Sequence, residues 1–179
     1  MLILKKDVGK QILLKVGELL KKDGYKNITM RNVALSCNLA VSNIYNYFSS
    51  KEEMINIYFY HQWLLILSRI KKRLENDNKV LMIINDELST YKNNNIEFFQ
   101  DDANLEKFLA VLKCYEPTIM NQLSDLVLPL CLNSYIEDKQ FMAETVVESI
   151  IHWVIDDVDI TKQTELLSKV FSNSQTDFH

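Results

Sequence analysis

Tyr45 and Tyr47 close a segment, residues 29–48, that reads TMRNVALSCNLAVSNIYNYF. It spells two short helices joined by a tight turn, the pattern of a helix-turn-helix whose second helix lies in a DNA major groove. The chemistry open to such a segment is recognition: phenol hydroxyls meet phosphate oxygens, and rings meet thymine methyls. Bond-making chemistry has no comparable signal. The sequence shows no Gly-rich phosphate loop, no metal-ligand spacing and no nucleophile motif. His61, His152 and His179 are scattered, and so are Cys37, Cys114 and Cys131. The expectation is a chain that is not an enzyme and holds no metal or cofactor. Its three thiols are read as small core-fillers in a reducing, cytoplasmic setting.

The elements that must position this segment follow from periodicity. Ile12, Val16, Leu19 and Leu20 repeat at helical spacing and predict a first helix over about residues 4–22, with lysines on its other face. Gly24 is placed to end that helix with a left-handed residue, and Tyr25 to pack back against it. Thr29 is a good N-cap for a second helix over about 29–36, with Val33 and Ala34 facing inward. Asn38 falls where the turn needs a positive φ, which Asn tolerates better than any residue but Gly. Leu39 is expected to anchor the turn in the core. A third helix over about 40–47 turns Ile44 inward, and Phe48 closes the core. Ser50-Lys51-Glu52-Glu53 reads as a capping box opening a long fourth helix over about 50–76.

Three glycines and two prolines in 179 residues argue against a sandwich or barrel and for long helices. The fold class expected is all-α. Charge is uneven. Residues 1–53 carry nine Lys or Arg against five Asp or Glu, a net +4, while the remainder carries −8. A basic head on an acidic body suits a protein that touches phosphates at one end only. The start MLILKKD is too short an apolar run for a signal peptide. Runs such as Trp63–Leu67 are too short to span a bilayer. No membrane partner is expected.

These residues resemble the TetR family of bacterial transcriptional regulators. The resemblance rests on Gly24-Tyr25, Thr29 with Val33-Ala34, the Leu39 turn, Ile44-Tyr45-Asn46-Tyr47-Phe48, and Ser50-Lys51-Glu52. It covers about 55 residues; beyond them only a long fourth helix and a variable helical domain match. It implies a three-helix DNA-binding head, residues 1–49, and a ligand-binding and dimerisation body, residues 50–179. It also implies that Arg31, Asn43, Tyr45, Asn46, Tyr47 and Lys51 meet DNA, beside Val41 and Ser42 at the start of the recognition helix. The chemistry agrees. Arg31 can reach a base edge or a phosphate, Asn43 suits adenine, and Lys51 is placed as a phosphate clamp. Two features depart from the family pattern. Asn38 stands where Gly is usual, and Ala40-Val41-Ser42 stands where a Ser or Thr cap and a basic or polar residue are common. The recognition helix therefore carries no charge, so readout should favour thymine methyls and A·T-rich sites, with helix-one lysines supplying much of the affinity.

In the body, helices are expected at about 79–94, 103–115, 117–136, 139–157 and 161–173. Pro117 would sit in a first turn and Pro129 would kink or split its helix. His61, Trp63, Tyr91, Phe98, Phe99, Phe108 and Tyr115 either line a pocket for a small-molecule effector or are ordinary core. Val147, Ile150, Ile151 and Val154, with Leu166, Leu167 and Val170 on the last helix, form an apolar stripe. It either covers the protomer's own core or builds a two-fold helical bundle with a second copy, and the resemblance favours the bundle. The sequence thus reads as a homodimeric one-component regulator, a repressor released from an operator by its effector. The alternative is an adaptor on the same fold that works through protein–protein contacts.

Overall fold

Among the described residues, apolar residues at helical spacing do form helices. The computed structural model describes residues 2–114, 119–132, 134, 136–163, 167 and 171, and shows no strand among them. The first helix, α1 (Leu2–Asn27), is longer than its apolar repeat because the chain kinks at Gly24 and resumes. Gly24 has φ 71 and ψ 165, a region essentially closed to residues with a Cβ. Next come α2 (Met30–Ser36), α3 (Val41–Tyr45), α4 (Lys51–Leu74) and α5 (Val80–Asn93). They are followed by α6 (Ile96–Phe99), α7 (Asp102–Cys114), α8 (Ile119–Cys131) and α9 (Lys139–Ile155). The turn at α6 has no counterpart in the periodicity, since four residues are too few to show one. Helix α8 ends two residues after Pro129 instead of running on to residue 136. Proline cannot donate to the carbonyl four residues back, so the helix has little left to hold it there. Pro117 lies outside the described residues. Residues 160–163, 167 and 171 are helical where the last helix is expected.

The chain divides into two compact units. The first comprises residues 1–63 and 95–114, the second residues 64–94 and 115–179. In the first, Ile12, Val16, Leu20, Ile28, Val33, Ala34, Ile44 and Phe48 are buried, and so are Met54 and Phe59 of α4. Helices α6 and α7 pack on α1, so this unit gathers more chain than the head drawn at residue 49. Glycines inside α1 admit rings: a Cβ at Gly17 would crowd the Tyr58 ring, and one at Gly9 would touch Tyr47.

In the second unit α8 and α9 pack on each other and α5 packs on both. Val147, Ile150, Ile151 and Val154 are buried within this single chain. Of the two readings of this α9 stripe, cover for the protomer's own core is the one these burials fit. Leu167 is half-buried, and Leu166 and Val170 lie outside the described residues. Arg69 and Arg73 both reach the buried Glu87, at 2.8 and 3.3 Å, tying α4 to α5. Lys92 Nζ donates to Val154 O at 3.0 Å and Ile155 O at 2.8 Å, and meets Asp157 Oδ2 at 2.7 Å. A half-sequestered ammonium thus satisfies the open carbonyls at the α9 C-terminus, where a cation is also favoured by the helix dipole.

Two stability outcomes follow from these ends. Lys92→Met, which strips three charge-assisted contacts, should cost about 2 kcal/mol in urea unfolding. Ala40 starts α3 with φ −69 and ψ 147, an N-cap geometry, but has no side chain to cap with. Ala40→Ser should therefore raise stability by about 0.5–1 kcal/mol; an unchanged midpoint would show that the α3 end is already satisfied.

Candidate nucleic-acid interface

Helix α3 has five residues, too few to stand alone, so its neighbours must seat it. Thr29 begins the seat. Its hydroxyl accepts from Asn32 N at 3.1 Å, while Thr29 N donates to Asn32 Oδ1 at 2.8 Å, a reciprocal cap on α2. Asn32 Nδ2 also donates to Asn27 O, pinning the end of α1. At the other end Asn38 adopts φ 54, as the turn requires, and Leu39 N donates back to Ala34 O at 2.9 Å. Leu39 itself is half-buried rather than a core anchor. Its carbonyl-bound backbone, more than its side chain, makes the turn.

Ile44 is fully buried, with 0% of its surface exposed, and Phe48 closes behind it. Every other α3 residue faces solvent. Val41 is 37% and Tyr45 54% exposed, and Ser42, Asn43 and the following Asn46 are open as well. Arg31 projects from the start of α2 and is exposed. The two tyrosines part ways. Tyr45 presents its ring outward, whereas Tyr47 is half-buried, its ring against Gly9 and 6.4 Å from that of Phe48. The structure thus brings Val41, Ser42, Asn43, Tyr45 and Asn46 onto one short exposed element, and sets Tyr47 back against α1.

Lys51 is not a free cation. Its Nζ donates to Tyr25 O at 2.7 Å and lies 4.3 Å from the centre of the Tyr25 ring. Two of its three N–H directions are partly committed inside the head. The sequence signal for this pairing was Gly24-Tyr25 itself, a kink that turns the next ring toward α4. The cap of α4 is also shared differently from the simple box. Ser50 Oγ accepts from Glu53 N at 3.0 Å, but the Glu53 carboxylate takes the hydroxyl and N–H of Ser49. The Ser49 hydroxyl, and then its N–H, hold Glu53 below the usual carboxylate range. Behind the turn, Cys37 sits in a groove of about 340 Å³ between α1 and residues 36–39. Burial pushes its thiol up, so it is not a reactive thiolate at neutral pH.

The aromatic residues expected around an effector fall in different places. Trp63 and Phe108 stack at 4.4 Å, and Trp63 Nε1 donates to Phe108 O at 2.8 Å. Phe98 and Phe99 meet Phe108 edge-on, and Phe59, which the sequence reading did not single out, joins Phe98 and Phe108. These rings close on one another in the first unit. Tyr91 is buried in the second, His61 is exposed, and Tyr115 lies outside the described residues. Among the described residues no three His, Cys, Asp or Glu side chains gather as a metal ion would need, and no helix is long and apolar enough to cross a membrane.

Residues 17–56, which run from α1 through α2 and α3 into α4, match the family described as bacterial regulatory proteins, tetR family. No curated protein matches the sequence. Three solved structures share the fold. A TetR-family transcriptional regulator from Haemophilus influenzae has a TM-score of 0.61 at 15% identity, over 93% of this chain and 95% of that one. The regulator FadR from Bacillus subtilis, in complex with stearoyl-CoA, has a TM-score of 0.59 at 16% identity, over 93% and 99%. The fatty acid degradation regulator FadR from Bacillus halodurans has a TM-score of 0.58 at 18% identity, over 91% and 93%. The head over residues 17–56 is thus similar to the tetR family of bacterial regulatory proteins, and the chain shares the all-helical fold of TetR-family transcriptional regulators.

Proposed function

We propose that the protein is a cytoplasmic, homodimeric one-component repressor. Each α3 would enter the major groove of one half of a palindromic operator, with half-sites about 34–36 Å apart or a multiple of that. A small-molecule effector would release the DNA. The observation that carries this reading is the exposed face of α3, where only Ile44 is spent on the core. Asn43 would read a base edge, Val41 and the Tyr45 ring would meet thymine methyls, and Ser42, Asn46 and the Tyr45 hydroxyl would hold phosphates. Arg31 and the exposed lysines of α1, Lys10, Lys21 and Lys22, would add phosphate attraction.

The second copy would cover apolar surface that α8 and α9 leave open. Leu132 is 60% and Phe141 65% exposed, and Pro129 of α8 is open too. These residues replace the buried α9 stripe as the candidate contact. For the effector, an apolar molecule would enter the first unit by parting the rings of Trp63, Phe98, Phe99 and Phe108. A long-chain acyl-CoA, the kind of ligand held by the Bacillus subtilis FadR structure, is the first to test. Release requires that the effector bind the two arrangements of the heads unequally.

The second reading is an adaptor that acts through protein contacts. The uncharged α3 favours it, as do Leu14 and Leu35, 68% and 69% exposed on the head.

One titration separates the two. The probe is duplex DNA from the gene's own upstream region. If two heads together neutralise about six phosphates, affinity should fall about 10³-fold between 50 and 200 mM salt. Asn43→Ala should weaken binding by about tenfold or more at fixed salt. A flat salt response with an unaltered Asn43→Ala variant would favour the adaptor.

A further inference from the structure

We infer that Tyr25 is a positioning residue for Lys51, and that helix α7 sets DNA affinity through it. The inference rests on the DNA-binding reading above and adds a residue and a route to it. Three contacts meet at the end of α1, all inside the first unit. Lys51, the first residue of α4, donates to Tyr25 O and lies on the Tyr25 ring. Lys107 of α7 lies 5.4 Å from the centre of the same ring. The kink at Gly24 brings the backbone so near the Asp101 carboxylate that a Cβ there would strike it. Asp101 Oδ1 in turn accepts from Asn104 N at 2.8 Å and caps α7.

This geometry gives the ring two cations from two helices. An ammonium held by one carbonyl and one ring face keeps its long stem in a single arrangement and still has an N–H to offer. A phosphate oxygen reaching Lys51 then meets a preorganised donor, so less side-chain entropy is lost on binding. The other side of the junction is less tightly made. Asn104 is fully buried, yet its amide makes only two long bonds, 3.3 Å each, to Leu20 O and Phe98 O. Its Oδ1 has no hydrogen-bond partner. An unfilled acceptor in the seam between α1 and α7 lowers the cost of shifting one helix against the other. A shift of α7 moves Asp101 against Gly24 and Lys107 against the ring, and Lys51 follows.

The test is a double-mutant cycle on the full-length protein, read as affinity for the upstream duplex at several salt concentrations. Tyr25→Leu should weaken binding by about two- to fivefold per head, the loss of one exposed cation–π contact converted to affinity. Tyr25→Phe keeps the ring and the carbonyl and should bind as the wild type does. In a Lys51→Met background, Tyr25→Leu should have no further effect, and Lys51→Met should itself flatten the salt slope by about one phosphate per head. Lys107→Met, on a half-exposed side chain, should lower affinity in the same direction and lose its effect in the same background. It keeps the test open if Tyr25→Leu does not fold. Equal losses with and without Lys51 would make Tyr25 and Lys107 merely structural and overturn the inference alone. A wild type that does not bind the duplex would overturn the DNA-binding reading and this inference together.

Discussion

One buried side chain decides what the head can do. Helix α3 is a single five-residue turn and a half without a cap, and a helix of that length has no stability of its own. Ile44 holds it in place, fully enclosed by the first unit's core, with Phe48 behind it. Because one inward residue suffices, the remaining positions are free to face outward. The turn before α3 completes the seat: Asn38 at φ 54 reverses the chain, and Leu39 N reaches Ala34 O. The exposed face of so short an element is only as well placed as this seat makes it.

The head keeps its positive charge apart from the exposed face of α3. Its net positive charge lies on α1, at Arg31 and at Lys51, while α3 carries none. In the proposed DNA-binding reading, long-range attraction to phosphates would come from outside α3, and short-range contacts by Asn43, Tyr45 and Val41 would be left to discriminate. Lys51 links the two, because its ammonium already has a partner in Tyr25. The acidic residues opening α4, Glu52 and Glu53, complement the dipole at that helix start.

The second unit shows how one apolar stripe can answer either of two needs. Val147, Ile150, Ile151 and Val154 are spaced as a packing face would be, whatever covers it. In the structure α5 and α8 cover it. Left exposed on α8, just after it and on α9 are Pro129, Leu132 and Phe141. Ion pairs complete the unit: Glu87 holds both Arg69 and Arg73, and Lys92 closes the end of α9.

The sequence alone was enough for the all-helical class, the order of the long helices, the Thr29 cap, the positive φ at Asn38 and the inward turn of Ile44. Each of these depends on residues within a few positions of one another, and local periodicity, capping and backbone sterics carry that information. Only the tertiary structure decided which tyrosine faces out, that Lys51 rests on Tyr25, that α6 and α7 pack with α1, and that the α9 stripe is internal. Those outcomes join residues far apart in the chain. An apolar spacing says that a face is buried without saying what buries it, and a cation in a sequence carries no record of the carbonyl or ring it will meet.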